Sequence, residues 1–333
     1  MSAVHLSERR FVPHVAVDLG HTLAVLQRGR NDPTLRISSA PTQTRVALTA
    51  RISEHEGEGV AALLEQTADT TPRHRAPIRV IAWGHLAAEV EAFMSSVGRL
   101  LGFDDDWSEL LDSPSYSQLP HAVRYARETH PGLRLSATRW VFKQGVSAIF
   151  EQRVTGSEAI GAWQRLTKHH GTPPPPPPRA GLPFPSDLRV FPTPRTWLDI
   201  PSWQWRQAGV DAHRRDAVRA LADAAPALAR LEATSPIGAV ARALANLPGI
   251  GPWTVAETLQ RSHGLPDAIS IGDYHLAHAV CYCLEGRRGD DARMLELLAP
   301  WSGHRQRVVR LIGVSGVNEP RRGPRVAPRS LAG

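Results

Sequence analysis

Six consecutive prolines at residues 173–178, inside the stretch GTPPPPPPRAGLPFP at 171–185, divide the chain into two parts of different texture. Proline fixes φ and carries no N–H, so the run can be neither helix nor central strand. It reads as an extended connector lying outside the packed helical core. Before residue 120 the texture is strand-like. Residues 14–26, 45–52 and 78–83 are rich in Val, Ile, Leu and Thr and partly alternate, with turn signals such as Asn31-Asp32-Pro33 between them. Residues 85–101 carry Val90, Phe93, Met94, Val97, Leu100 and Leu101 on one helical stripe. After residue 131 the spacing is helical. Val146, Ile149, Phe150 and Val154 form one stretch, Val218, Leu221, Leu228 and Leu231 a second divided near Pro226, and Ser235-Pro236 opens a third. The expected fold class is α+β: a small antiparallel sheet domain with a helix over 1–120, then an all-helical domain over 121–317 that contains the Pro-rich insert. Residues 318–333, rich in Arg and Pro, are expected to be a disordered tail.

Composition narrows the function classes. With 42% hydrophobic and 21% charged residues among 333, the chain is not globally disordered. No apolar run approaches the roughly 18 residues of a membrane helix. The first ten residues are polar, which argues against a secretory signal and for a cytoplasmic protein, nucleoid-associated if bacterial. Two cysteines, Cys281 and Cys283, supply neither a disulfide framework nor a four-thiolate metal site. His169, His170 and His263 have no metal-ligand spacing and read as surface residues, so neither metal nor cofactor is expected. The formal net charge of +7 fits a polyanionic partner.

The segment 241–279 carries most of the chemistry. A helix ends near Asn246, Leu247-Pro248-Gly249-Ile250-Gly251 follows, and Pro252 suits the first position of a new helix. Two glycines around one apolar residue make a tight hairpin at 247–251. Its N–H groups and those of the next helical turn point outward as an anion site, for which a nucleic-acid phosphate is the natural ligand. An ordinary corner between helices is the alternative. Asp273 stands 22 residues beyond Gly251, directly before another apolar helix.

Hairpin, Thr254 and this spacing together resemble the helix-hairpin-helix DNA glycosylase superfamily. Residues 131–155 and 191–225 extend the resemblance to its 3-methyladenine DNA glycosylase II family, and the proline run is not part of that pattern. The resemblance implies duplex DNA with damaged bases as partner, backbone contacts from Gly249, Ile250, Gly251 and Thr254, and a monomer. It implies a catalytic carboxylate at Asp273, which would stabilise the oxocarbenium-like sugar as the base departs. It puts Trp253 where bifunctional relatives carry a Schiff-base lysine, which implies hydrolysis without strand cleavage. Trp253 and Glu257 would face the base; Trp253 is equally readable as hairpin packing, and Glu257 replaces a common aromatic. Gln152 and Arg153 fall where the family inserts a wedge into the gap left by the flipped base. Arg214 and Arg215 open another helix within reach of phosphate, or form a solvated face. The expected function is excision of alkylated purines. The alternatives are a glycosylase for uracil, hypoxanthine or an oxidised base, and a helix-hairpin-helix protein that grips DNA without catalysis.

Overall fold

The computed structural model describes residues 4–52, 59–68 and 71–319. Strands β1 (His5–Phe11), β2 (Leu35–Ser39), β3 (Gln43–Ala50), β4 (Val60–Thr67) and β5 (Ile78–Gly84) form one antiparallel sheet in the order β1-β5-β4-β3-β2. The register sets Val46 opposite Leu64 and Leu64 opposite Val80. These side chains share one face with Leu48 and Ile78, since alternate residues of a strand point the same way. That face packs on helix α1 (Leu19–Leu23) and on Val90, Phe93, Met94 and Val97 of α2 (Ala87–Leu100).

Residues 14–26, expected as a strand, form none; residues 19–26 instead make α1 and a 3-10 turn reaching Leu26. The reason is local: the Asp18 carboxylate accepts from the His21 N–H at 2.9 Å and caps the helix. β1, β2 and β4 escape a reading by alternation. In β4 the residues Val60–Leu64 are buried whichever way they point, so period-2 contrast disappears.

The second face of the sheet explains that burial. Ala47, Ala61, Leu63, Ile81 and Trp83 lie under Leu182, Phe184 and Leu188. The Trp83 indole N–H donates to the Pro175 carbonyl at 2.9 Å, and its ring meets Phe184 edge-on at 4.8 Å. Residues 171–190 are thus not the loose connector that the proline run suggests: they roof the back of the sheet.

Twelve further helices follow α2 among the described residues: α3 (Ser108–Asp112), α4 (His121–Thr129), α5 (Val141–Phe150), α6 (Gly156–His170), α7 (Pro194–Asp199), α8 (Ser202–Gln207), α9 (Ala212–Thr234), α10 (Ile237–Ala245), α11 (Pro252–His263), α12 (Leu276–Glu285), α13 (Asp291–Leu298) and α14 (Arg305–Val314). Helices α5 to α11 share a core around Phe150, Trp163, Trp197, Trp205, Val218 and Leu221. Helix α9 is not divided at Pro226, which sits exposed inside it. Burial of Leu221 and Leu228 on either side offsets the roughly 3 kcal/mol that an interior proline costs.

A separate core joins distant parts of the chain. Trp107, Leu110, Leu119 and Val123 pack with Met294, Leu298, Val308 and Leu311. Its polar clasp is Asp105, whose Oδ1 accepts from Arg307 Nε at 2.9 Å while Oδ2 accepts from the Leu135 N–H at 2.8 Å. Residues 105–119 therefore belong structurally with the C-terminal helices. Residues 320–333, most of the expected tail, lie outside the described residues. Among the described residues no helix is long and apolar enough to cross a membrane.

Candidate active site

The site lies where α11, from one helical core, meets the start of α12 and the flank of α14, from the other. The hairpin that opens α11 is built as its sequence requires. Gly249 has φ +77°, and a Cβ there would meet the Ala217 Cβ at 2.7 Å. Only glycine fits both demands. Gly251 is different: its φ is −94°, it is exposed, and a Cβ would enter open space. It is the N-cap of α11, so the first-turn N–H groups of that helix open toward solvent.

The other hairpin residues support this surface rather than form it. Ile250 is 5% exposed and sits in the core of α5 to α11. Thr254, expected at the DNA backbone, is 2% exposed, and its Oγ1 accepts from Gln152 Nε2 at 2.8 Å. The same Gln152 nitrogen donates to the Gly249 carbonyl at 2.9 Å. Gln152 is therefore no free wedge: its amide fastens the loop after α5 to the hairpin. Arg153 is left as the exposed tip. Its φ is +53°, in the left-handed region that costs a non-glycine residue about 1–3 kcal/mol. Its guanidinium makes no hydrogen bond or ion pair among the described residues.

Arg214 is not at a solvated face. It is buried, and its guanidinium donates to Asp211, to the Phe150 carbonyl at 3.1 Å and to the Gly209 carbonyl at 2.9 Å. It holds the end of α5 in place, while Arg215 is paired with Asp216 at 2.7 Å. His263 is likewise not a surface residue, since its side chain is enclosed beside Glu232 at 3.1 Å. No group of three or more potential metal-ligating side chains exists among the described residues.

Asp273 is held from two sides. Its Oδ1 accepts from the N–H groups of His275 and Leu276, each at 2.8 Å, where α12 begins. Its Oδ2 accepts from the Trp253 indole at 3.1 Å. Three donors fix the direction of its two oxygens. Trp253 is half-buried and positions the carboxylate, a role the sequence does not announce. Next to Asp273, Tyr274 stands 81% exposed.

Asp273 lines a cleft of 280 Å³ together with Glu257, Gln260, Ser270, His275, Leu276, Ala279, Gln306 and Val309. That volume is close to the lower end for small-molecule sites, about 300 Å³. The wall is polar and mostly prearranged. Glu257 is buried, pairs with Arg261 one turn on, and accepts from the Ser270 hydroxyl. Gln260 donates to Ser270 Oγ and to the Ala268 carbonyl, both at 3.0 Å. A second hollow of 310 Å³ adjoins it, lined in part by Leu276, Val309 and Arg310. Burial pushes the Arg310 guanidinium down to about 10, and the charge of Arg261 adds to the effect. Glu257-Arg261 is legible as an i,i+4 pair; Gln260, Ser270, Gln306 and Arg310 carry no sequence signal that marks them out.

A hairpin between helices, a capped carboxylate at the start of the next helix and a cleft beside it, set after an N-terminal sheet, form a fold similar to that of solved DNA glycosylases. The fold aligns with the 3-methyladenine DNA glycosylase from Archaeoglobus fulgidus over 91% of this chain and 97% of that one, with TM-score 0.68 and 17% identity. It aligns with MBOgg1 in complex with a low-affinity DNA ligand over 85% of this chain and 98% of that one, with TM-score 0.56 and 14% identity. It aligns with the apo form of the Clostridium acetobutylicum 8-oxoguanine glycosylase/lyase over 85% and 99%, with TM-score 0.54 and 10% identity. No protein-family model and no curated protein matches the sequence.

Proposed function

We propose that this chain is a monofunctional DNA glycosylase that hydrolyses the N-glycosidic bond of alkylated purines in duplex DNA, as a monomer acting in the cytoplasm. The observation that carries the reading is the Asp273 carboxylate, fixed by two backbone N–H groups and the Trp253 indole at the edge of a cleft. A negative charge held there without reorganisation suits a sugar that turns cationic as the base leaves. The exposed first turn of α11 suits a phosphate, and Arg153 suits the gap left by an extruded base. Gly251 would contribute to backbone binding through its N–H, whereas Ile250, Thr254 and Gln152 would act by shaping the hairpin.

The lysines support hydrolysis. The chain contains two, Lys143 and Lys168, and neither lines the cleft. With no lysine there to form a Schiff base with the sugar, the reading takes water as the nucleophile, oriented by Asp273. The polar lining by Glu257, Ser270 and Gln260 also supports a second reading, a glycosylase for a neutral lesion such as hypoxanthine, since such a wall binds through hydrogen bonds rather than ring stacking. The deciding experiment offers the purified protein duplexes carrying one defined lesion each and separates free base from cut strand. Release of an alkylated purine with the strand intact is the expected result. Strand cleavage that borohydride traps as a covalent adduct would overturn the hydrolytic mechanism, and binding without release of any base would leave only a DNA-gripping protein.

A further inference from the structure

Within the polar wall of the cleft, one residue does not fit the pattern of satisfied partners. Gln306 on α14 is 7% exposed, and its Oε1 is buried without any hydrogen-bond partner. Its backbone N–H donates to the Pro266 carbonyl at 2.8 Å, so the helix is anchored and the side chain is left over. The neighbours are committed elsewhere: Glu257 to Arg261 and Ser270, Gln260 to Ser270 and Ala268, Asp273 to Trp253 and the start of α12. A buried acceptor with no donor is costly and uncommon in folded proteins, and in a cleft it marks a place where a ligand's donor belongs.

We propose that Gln306 is a specificity-determining residue of this site, whose side-chain carbonyl accepts from an N–H on the edge of the extruded base. The inference rests on the glycosylase reading and narrows it: the substrate class is purine lesions that retain an exocyclic amino group or a ring N–H. Lesions whose donors are tied into an added ring are disfavoured, because entering the cleft leaves the Gln306 oxygen unpaired. Discrimination of this kind is strong when a site is built around a hydrogen bond, since the penalty falls on the wrong substrate. Glu257 adds to it, as a carboxylate beside the base edge repels further acceptors.

The test compares two alkylated adenines. In 3-methyladenine the amino group is free to donate; in 1,N6-ethenoadenine an added ring removes both donor hydrogens. Single-turnover excision is measured for wild type, Gln306→Met and Gln306→Glu on duplexes carrying each lesion. Each variant is referred to wild type on the same lesion, so the differing lability of the two glycosidic bonds cancels. Gln306→Met is expected to lose about tenfold to a hundredfold on 3-methyladenine. On ethenoadenine it is expected to change by less than about threefold, because no hydrogen bond is lost there. Gln306→Glu keeps an acceptor of the same reach and is expected to retain excision of 3-methyladenine. Circular dichroism and thermal melting establish that both variants are folded; should Gln306→Met fail to fold, Gln306→Leu takes its place in the same comparison. Equal losses on both lesions, no loss on either, or a Glu variant that behaves like Met would overturn the role of Gln306 while leaving the glycosylase reading intact. A wild type that releases no base from any lesion would overturn both.

Discussion

The indole nitrogen of Trp253 lies 3.1 Å from Oδ2 of Asp273, joining the first turn of α11 to the residue that caps α12. One side chain thus couples the surface suited to phosphate to the carboxylate suited to the sugar. Trp253→Phe keeps the ring and removes the donor. Excision is expected to fall about tenfold, in line with one hydrogen bond to a charged group, with affinity for undamaged duplex unchanged. Equal excision by wild type and variant would show that the backbone cap alone orients Asp273.

Asp273→Asn retains an oxygen that can accept from His275 and Leu276, so the start of α12 is expected to survive with a small change in melting temperature. What it loses is charge. At about 4 Å and an effective dielectric near 20 the attraction to a cationic sugar is on the order of 4 kcal/mol, nearly a thousandfold in rate. Excision of a chemically stable lesion should drop by that order while duplex affinity persists. A variant with near wild-type excision would remove Asp273 from the mechanism.

The two hairpin glycines should respond in opposite ways. Gly249→Ala meets Ala217 and requires an alanine at positive φ, so unfolding by denaturant should show a loss of about 1–3 kcal/mol. Gly251→Asp adds a favourable N-cap residue in open space and should fold as well as wild type. Its carboxylate occupies the N–H groups a phosphate would use, so binding to damaged and undamaged duplex should weaken alike. The salt slope should fall by roughly 0.9 log units per log of salt, one phosphate's worth. An unchanged slope would make the hairpin a mere corner.

Lys143 predicts a pH dependence of stability. Burial pushes its ammonium down to about 8, with Arg28 acting in the same direction and Asp32 against it. In the unfolded chain the group titrates near its usual value of roughly 10.4. Between these values the unfolded state holds a proton that the folded state has released, so this contribution to stability rises with pH from about 8 to about 10.4 and is fully unfavourable below. Lys143→Met should therefore stabilise most at neutral pH, and its advantage over wild type should shrink as denaturation is repeated toward pH 10. A constant difference would mean that the group is solvated.

The proline run, packed as it is, predicts a different result from a free spacer. Replacing residues 173–178 by a Gly/Ser segment of equal length keeps a carbonyl opposite Trp83 but frees the unfolded chain by about 0.4–1 kcal/mol per position. Denaturant titration should register a loss of several such increments, and tryptophan fluorescence should report on Trp83 as its cover loosens. An unchanged midpoint would return the segment to the role of linker.

The hairpin and Asp273 are legible in the sequence because they depend on local rules: glycine where a Cβ is excluded, proline at a helix start, an aspartate before an apolar helix. The linkage between them is not, because the Trp253–Asp273 hydrogen bond depends on how two helices meet. Glu257, visible as an anomaly in place of an aromatic, finds its partners Arg261 and Ser270 only in the fold. Strand β4 is hidden for a related reason: the roof formed by residues 171–190 buries the face that alternation would have exposed. The capping Asp18 likewise turns Leu19–Leu23, within the apolar residues 14–26, into helix. Gln306 has no sequence signal at all, since only its enclosure distinguishes it from any other glutamine on a helix.

The packing of Trp107 and Leu110 against helices near the other end of the chain has a consequence for the order of assembly. The hairpin's own core, from α5 to α11, is complete once the chain has reached residue 263. The opposite wall of the cleft requires α12 and α14 to return and close on residues 105–119, contacts of long sequence separation that form slowly. A chain emerging from synthesis, or one shortened before α14, thus possesses the hairpin and the start of α11 before it possesses a cleft. The last of these helices to dock is the one that carries the residue proposed to recognise the base.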